Sequence, residues 1–298
     1  MPAIDLGAGR SERTGRRADW RSMAASPAYA PVLLLALLLG QGCGGERHTA
    51  FRVERAGQSD SATRIVVDGT RSVNLDRLGG ITTVDGNVII NNNAELTNLD
   101  GLRTLTSISG SLLIENNERL ADLDGFNSLN SIGRDLVIKG NPSLADLSGL
   151  RALSSVGRDL AISGNGELES LEGLNSISTT GRDLVVRDNQ ELLDLDGLGS
   201  LNAVGRDLTL ASNEELANVD GLSNLTGIGG GLAVRQNAAL GNLNGLGNLK
   251  TIKGSYTIEK NEELPTCEAE MLRERLLGYT EISICDNQLD ACGSNPCQ

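Results

Sequence analysis

Side chains that commonly catalyse reactions or bind metal ions are few in this chain, and their spacing matches no complete site. The only histidine is His48, so a histidine-based catalytic triad or dyad is absent. Paired carboxylates occur in the motif D-L-D-G, at Asp122 with Asp124 and at Asp194 with Asp196. The motif is a fragment of a calcium-binding loop without the remaining ligands, and we interpret it as a polar corner before glycine. Because no acid and base are set apart by their surroundings, we predict no enzymatic activity, no metal and no cofactor.

The chain repeats one unit of 24 residues. Residues 133–150 read GRDLVIKGNPSLADLSGL, and closely similar segments begin at Gly157, Gly181 and Gly205. The asparagine in the middle of the unit recurs at Asn93, Asn117, Asn141, Asn165, Asn189, Asn213, Asn237 and Asn261. A fixed period in this range predicts a solenoid, in which each unit stacks on its neighbours and cannot bury its apolar side alone.

The apolar positions within one unit predict a strand followed by tight bends. Leu136 and Ile138, five and three residues before Asn141, have the spacing of a strand with one buried face. After the asparagine, leucines recur every third residue, which fits 3₁₀ turns. Gly149, eight residues after Asn141, is expected to provide a bend through its free φ. We interpret the asparagine row as structural, because an amide can satisfy both a buried turn and the asparagines above and below it.

Composition excludes one class of partner. The formal net charge of the 298 residues is −13 and only 2 % of them are aromatic. An acidic surface repels nucleic acid phosphates, and few aromatic side chains are present on which bases could stack. We therefore predict that the chain does not bind nucleic acid, and that its core consists of Leu, Ile and Val.

The N-terminal segment has the pattern of an export signal. Five arginines precede residues 31–43, which read PVLLLALLLGQGC, and the apolar run is too short to span a bilayer. We interpret residues 1–42 as a signal peptide, Met23 being an alternative start. Cys43 follows small residues as the acylated cysteine of a bacterial lipobox does; ordinary cleavage near Gly42 is the alternative. Residues 43–63 are expected to be a flexible tether between the lipid and the solenoid.

The repeat pattern I-x-G-x-L-x-I-x-x-N-x-x-L-x-x-L-x-G-L resembles the receptor L domain over about residues 64–292. Thr180 departs from it, in a slot that is Ile or Val in neighbouring units. The resemblance implies a β-rich solenoid, namely a right-handed parallel β-helix or leucine-rich-repeat-like stack of 24-residue coils. Similar repeats occur in bacterial surface lipoproteins, and this implies an exported, lipid-anchored protein of the bacterial envelope.

Both ends of the solenoid, predicted to span residues 64–265, carry atypical sequence. The first unit has Gly69 where the asparagine is expected. Residues 266–298 are expected to form a disulfide-containing cap with a short helix, which begins at Thr266 as N-cap and stops at Gly278, followed by a strand with Asn287 in the asparagine position. Cysteines cluster in this cap, at Cys267, Cys285, Cys292 and Cys297. They allow three pairings; the resemblance favours Cys267–Cys292, which leaves Cys285–Cys297.

The outward side of the strands is the candidate binding surface. The residue four before each asparagine is apolar in most units and the residue two before it is polar, a composition typical of a protein-binding surface. The alternative is that β-branched residues simply stiffen the sheet. Possible partner-binding residues are Ile89, Leu113, Val137, Val185, Lys139 and Arg187.

These patterns together predict a non-enzymatic, membrane-tethered recognition or adhesion domain that binds a protein or another surface component. A structural envelope protein without a specific ligand is the alternative. An arginine row and an aspartate row run beside each other, from Arg134 and Asp135 to Arg206 and Asp207. We expect their charges to neutralise one another. The charge rows and the asparagine row thus serve stacking, and the outward face remains for recognition.

Overall fold

The computed structural model describes residues 52–54, 61–69 and 75–288. These residues form a stack of coils, and each full coil contributes a long strand and a short strand to two separate sheets. The predicted β-solenoid with a short helix is therefore confirmed. Among the described residues no helix has the length and apolar character needed to cross a membrane.

The larger sheet, which we call the long-strand sheet, has eleven strands in the order of the coils. Its strands pair in parallel and in register, except that β1 is antiparallel to β3. They are β1 Arg52–Glu54, β3 Arg64–Asp68, β5 Val88–Asn91, β7 Leu112–Glu115, β9 Leu136–Lys139, β11 Leu160–Ser163, β13 Leu184–Arg187, β15 Leu208–Ala211, β17 Leu232–Arg235, β19 Ser255–Glu259 and β20 Glu281–Cys285.

The smaller sheet, the short-strand sheet, has nine parallel strands of two residues each. The sequence did not predict this sheet, because two residues are too few to show an alternation of apolar and polar side chains. Its strands are β2 Ser61–Ala62, β4 Thr83–Val84, β6 Ser107–Ile108, β8 Ser131–Ile132, β10 Ser155–Val156, β12 Thr179–Thr180, β14 Ala203–Val204, β16 Gly227–Ile228 and β18 Thr251–Ile252.

Short 3₁₀ helices form the return path of the coils, where leucines recur every third residue. They are Asp76–Leu78, Asp100–Leu102, Asp124–Phe126, Ser148–Leu150, Asp196–Leu198, Asp220–Leu222 and Asn244–Leu246. Since 3₁₀ helices have three residues per turn, this spacing directs the leucines that recur every third residue into the core, whereas Leu193, outside the spacing, is exposed. The core is one continuous column of buried aliphatic side chains with Phe126 and Tyr256.

The glycine after each 3₁₀ start is required for a reason other than the predicted one. Only Gly173 has a positive φ, of 111°, in this row. At Gly149 a Cβ atom would lie 2.0 Å from the carbonyl oxygen of Leu123 in the preceding coil. Adjacent coils therefore approach so closely here that no side chain fits. The backbone position that does adopt positive φ is the residue just before each asparagine, such as Asn116 at 55° and Lys260 at 57°.

The start of the solenoid differs from the prediction in two ways. Residues 43–63 were expected to be a tether, but strands β1 and β2 lie within them. These two strands form because each pairs with a strand of the first coils. Pairing of Asp68 with Asn91 places Gly69 beside Asn92 and not beside Asn93. The first coil is therefore one residue shorter than the others.

The C-terminal cap contains helix α1, Thr266–Arg275. Pro265 is its N-cap and Leu276 its C-cap, so the predictions of Thr266 as N-cap and of Gly278 as the stop are wrong. Thr266 instead donates its hydroxyl to the carbonyl of Gln288 at 3.0 Å, since the chain passes beside the helix there. Buried Tyr256 donates to the carbonyl of Ala269 at 2.7 Å and so fastens the helix to the last full coil.

Candidate functional site

The asparagine row is fully buried and bonded from coil to coil. Asn141 donates from Nδ2 to the carbonyl of Ile114 at 3.1 Å, and its Oδ1 accepts the backbone N–H and the Nδ2 of Asn117 at 3.1 and 3.0 Å. The same contacts recur from Asn93 to Asn261, and Asn287 continues the row in the cap. These amides satisfy the turns beside them, which leaves the row no function in binding a ligand from solvent.

The D-L-D-G carboxylates hold their own turns. Asp122 accepts the backbone N–H of Asp124 at 3.0 Å, and Asp194 accepts that of Asp196 at 3.0 Å. Neutral Asn218 does the same for Asp220 at 3.0 Å, so the turn requires an acceptor and not a charge. The negative charge of Asp194 raises the pKa of Asp196. In the described part of the chain, no group of three or more His, Cys, Asp or Glu side chains could hold a metal ion.

The adjoining aspartates and arginines form what we call the aspartate–arginine ladder: Asp135, Asp159, Asp183 and Asp207, with Arg134, Arg158, Arg182 and Arg206. Each arginine from Arg158 onward reaches the aspartate of the preceding coil: Arg158 to Asp135 and Arg182 to Asp159, both with Nε–Oδ1 of 3.6 Å, and Arg206 to Asp183 at 2.7 Å. The carboxylates also accept backbone N–H groups of the following coil, as Asp159 does from Asp183 at 3.0 Å. The ladder thus fastens coils together.

The outward face of the long-strand sheet carries the predicted apolar column. In-register pairing aligns Ile89 with Leu113, Leu113 with Val137, and Val137 onward through Ala161 to Val185. Leu113, Val137 and Val185 are half-buried. Ile89 is only 5 % exposed, so the prediction that it faces water is wrong. Its in-register neighbours on the two adjacent strands are Val66 and Leu113.

Beside the column runs a polar row that contains Lys139 and Arg187. The order along it is Glu115, Lys139, Ser163 and Arg187, each paired in register with the next. Arg187 forms an ion pair with Asp188 at 3.1 Å, and Lys139 also has an interaction partner. Both cations therefore stand at the border of the apolar column, half-buried and already engaged.

The face of the short-strand sheet differs from this one. Its outward residues are hydroxyl-bearing over the first coils: Thr83, Ser107, Ser131, Ser155 and Thr179. A shallow groove of about 380 Å³ runs along Ser107, Ser131 and Ser155 and beside Gly133 and Gly157. The sequence did not predict this face, although the serine that precedes Ile108, Ile132 and Val156 at 24-residue intervals was a usable signal.

The lipid and disulfide residues lie mostly outside the described ranges. Cys43, Cys292 and Cys297 are not among the described residues. Cys267, in helix α1, and Cys285, at the end of β20, are each disulfide-bonded. The pairing therefore stays a prediction, as does the lipid attachment.

Comparison with known proteins found one family model and similar solved structures. The family model described as Receptor L domain matches residues 80–197. A solved internalin (inlF) from Listeria monocytogenes is 16 % identical, with a TM-score of 0.34 over 76 % of this chain and 82 % of that one. No curated protein matches the chain. Residues 80–197 thus lie in a receptor-L-domain-like, leucine-rich-repeat-like solenoid, an architecture that is generally non-enzymatic and commonly binds proteins.

Proposed function

We propose that this chain is a non-enzymatic, extracytoplasmic recognition or adhesion domain, held to a bacterial membrane by a lipid on Cys43, which binds a protein partner through the outward face of the long-strand sheet. The observation that carries the proposal is the apolar column bordered by polar residues. Leu113 and Val137 are half-buried neighbours on adjacent strands, so a partner can remove the rest of their surface from water. An apolar centre with a polar border is the usual composition of a protein interface.

The charge of the chain supports a protein partner over other classes. With a net charge of −13, the surface repels polyanions such as nucleic acid. On one side of the column the aspartate–arginine ladder is engaged from coil to coil, and on the other side Arg187 is paired with Asp188. This leaves the apolar column as the element of the long-strand face whose burial gives binding energy.

The test is a pair of charged substitutions, Leu113→Asp with Val137→Asp. We expect the variant to lose the partner that wild type retains after cross-linking to envelope proteins, while its melting temperature stays near that of wild type. The matched control is Ser107→Asp with Ser131→Asp, which places the same charges at outward positions of neighbouring coils on the other sheet. Equal retention by the Leu113/Val137 variant and wild type would place the interface elsewhere. Failure of wild type to retain any defined partner would favour a structural envelope protein.

A further inference from the structure

Asp159 is the least compensated carboxylate of the aspartate–arginine ladder. Its side chain is 6 % exposed, as is that of Asp183, whereas that of Asp135 is 24 % exposed. Asp183 accepts a hydrogen bond from Nε of Arg206 at 2.7 Å, and Asp135 accepts one from the hydroxyl of Ser111 at 3.0 Å. Asp159 has Arg182 only at 3.6 Å, which is too long for a hydrogen bond.

The charges that face Asp159 come from both neighbouring coils. Asp135 and Asp183 directly precede the strands β9 and β13, which are the in-register neighbours of β11 at a strand spacing of about 4.8 Å. Arg182 of the following coil is the cation at ion-pair distance from Asp159, while Arg158 of its own coil contacts Asp135. The charge of Arg206, one coil further on, also acts on Asp159, so that two arginines oppose the burial of the carboxylate and its two like-charged neighbours. We propose that Asp159 is the proton-binding centre of an acid-responsive clamp, which holds neighbouring coils together more firmly in mildly acidic surroundings than at neutral pH.

The clamp does not depend on a charge at this position for its hydrogen bond. The equivalent residue two coils before Asp135 is Asn87, whose Oδ1 accepts the backbone N–H of Ser111 at 2.9 Å. A protonated Asp159 keeps the same acceptor for the N–H of Asp183 and gains an O–H donor. Protonation therefore removes repulsion and the cost of a buried charge; it gives up the attraction to Arg182 but keeps the hydrogen bond from the backbone of Asp183 in the next coil.

The direction of the pH effect follows from linkage. Burial, and then the charges of Asp183 and Asp135, outweigh the hydrogen bond from Asp183 and the charge of Arg182 and raise the pKa of Asp159 above 3.8. A carboxyl whose pKa is higher in the folded than in the unfolded protein contributes stability at low pH. That contribution is lost as the pH rises from the pKa of the carboxyl in the unfolded chain through its pKa in the folded protein.

The experiment compares the melting temperatures of wild type, Asp159→Asn and Glu214→Gln in the full chain. Asparagine mimics the protonated carboxyl, so we expect the Asp159 variant to melt about 2–4 °C higher than wild type at about pH 7 and by a smaller margin at about pH 4. Glu214 is exposed, so its variant removes one charge without affecting the aspartate–arginine ladder. Its melting temperature should equal that of wild type at both pH values.

A second measurement tests wild type itself, by carbon-detected magnetic resonance of the Asp159 carboxyl. We expect its pKa to lie above 3.8, the ordinary value of an aspartate. A difference in melting temperature between the Asp159 variant and wild type that stays constant with pH, or an Asp159 that titrates at or below 3.8, overturns the proposal. If Asp159→Asn does not fold, the titration of wild type decides alone.

Discussion

The side-chain oxygen of Asn165 accepts two hydrogen bonds from Asn141, one from its backbone N–H at 3.1 Å and one from its Nδ2 at 3.2 Å. Each asparagine is thus both the acceptor for the coil before it and the donor to the coil after it. Truncation of one member leaves polar groups unpaired on both sides, and a buried polar group without a partner is costly. The row is therefore a series of equal connections along the stack.

Asn141→Ala is expected to lower the free energy of unfolding by about 1–3 kcal/mol, the usual cost of an unpaired buried polar group. Asn165→Ala should cost a similar amount, because its contacts repeat those of Asn141. Denaturant unfolding measures both. The control is Asn202→Ala at an exposed position, which should change stability by less than about 0.5 kcal/mol. Equal stability of all three variants and wild type would contradict the buried row.

Gly149→Ala is expected to destabilise by about 1–3 kcal/mol or more, because its Cβ would lie 2.0 Å from the carbonyl oxygen of Leu123. Gly241→Ala is the matched control, since no atom lies within 4 Å of its Cβ position. It should be neutral or stabilising by about 0.4–1 kcal/mol, through the unfolded state. The melting temperatures of the two variants distinguish two explanations. A close contact between coils lowers only that of Gly149→Ala, whereas a general loss of glycine flexibility would affect both variants alike.

Tyr256→Phe is expected to cost about 1–2 kcal/mol, because it removes the buried hydrogen bond between strand β19 and the Ala269 carbonyl of helix α1. Hydrogen exchange should increase in helix α1 more than in the central coils. Burial raises the pKa of Tyr256 well above its ordinary value of 10. Because the unfolded chain then loses this proton first, stability should fall as the pH rises above about 10. That part of the pH dependence should be absent from the phenylalanine variant; an unchanged alkaline slope would refute the assignment.

Peptide mapping of the unreduced protein should find Cys267 linked to Cys292 and Cys285 linked to Cys297. The first pair would fasten helix α1, in which Cys267 lies, to the C-terminal residues. The second would fasten the end of β20. A fragment that joins Cys267 to Cys285 would disprove both pairings.

Cys43→Ser is expected to release the protein from membranes and to abolish its labelling by a palmitate analogue. Stable anchoring requires acyl chains, and serine cannot carry the thioether. A fractionation of cells that express wild type or the variant measures the first effect, and gel fluorescence of the label measures the second. Unchanged membrane association with unchanged labelling would contradict lipid attachment at Cys43.

The sequence by itself determined the solenoid, its period and the position of its core. A 24-residue recurrence of Asn141 and its equivalents, with Leu136 and Ile138 before it and leucines every third residue after it, allows one way to bury the apolar side chains. Because each coil contacts only its neighbours, local sequence and global fold carry the same information. The apolar column through Leu113 and Val137 was readable for the same reason.

Only the tertiary structure decided how the coils meet. Gly149 is required by a carbonyl one coil away, Arg182 contacts Asp159 of the preceding coil and not its sequence neighbour Asp183, and Ile89 is buried although the apolar column on the outward face continues at half-buried Leu113. Thr180, which departs from the apolar pattern, is buried with its hydroxyl directed to the carbonyl of Arg182 at 3.4 Å. These outcomes depend on distances of a few ångströms between segments about 24 residues apart, and the twist and offset of stacked strands set those distances.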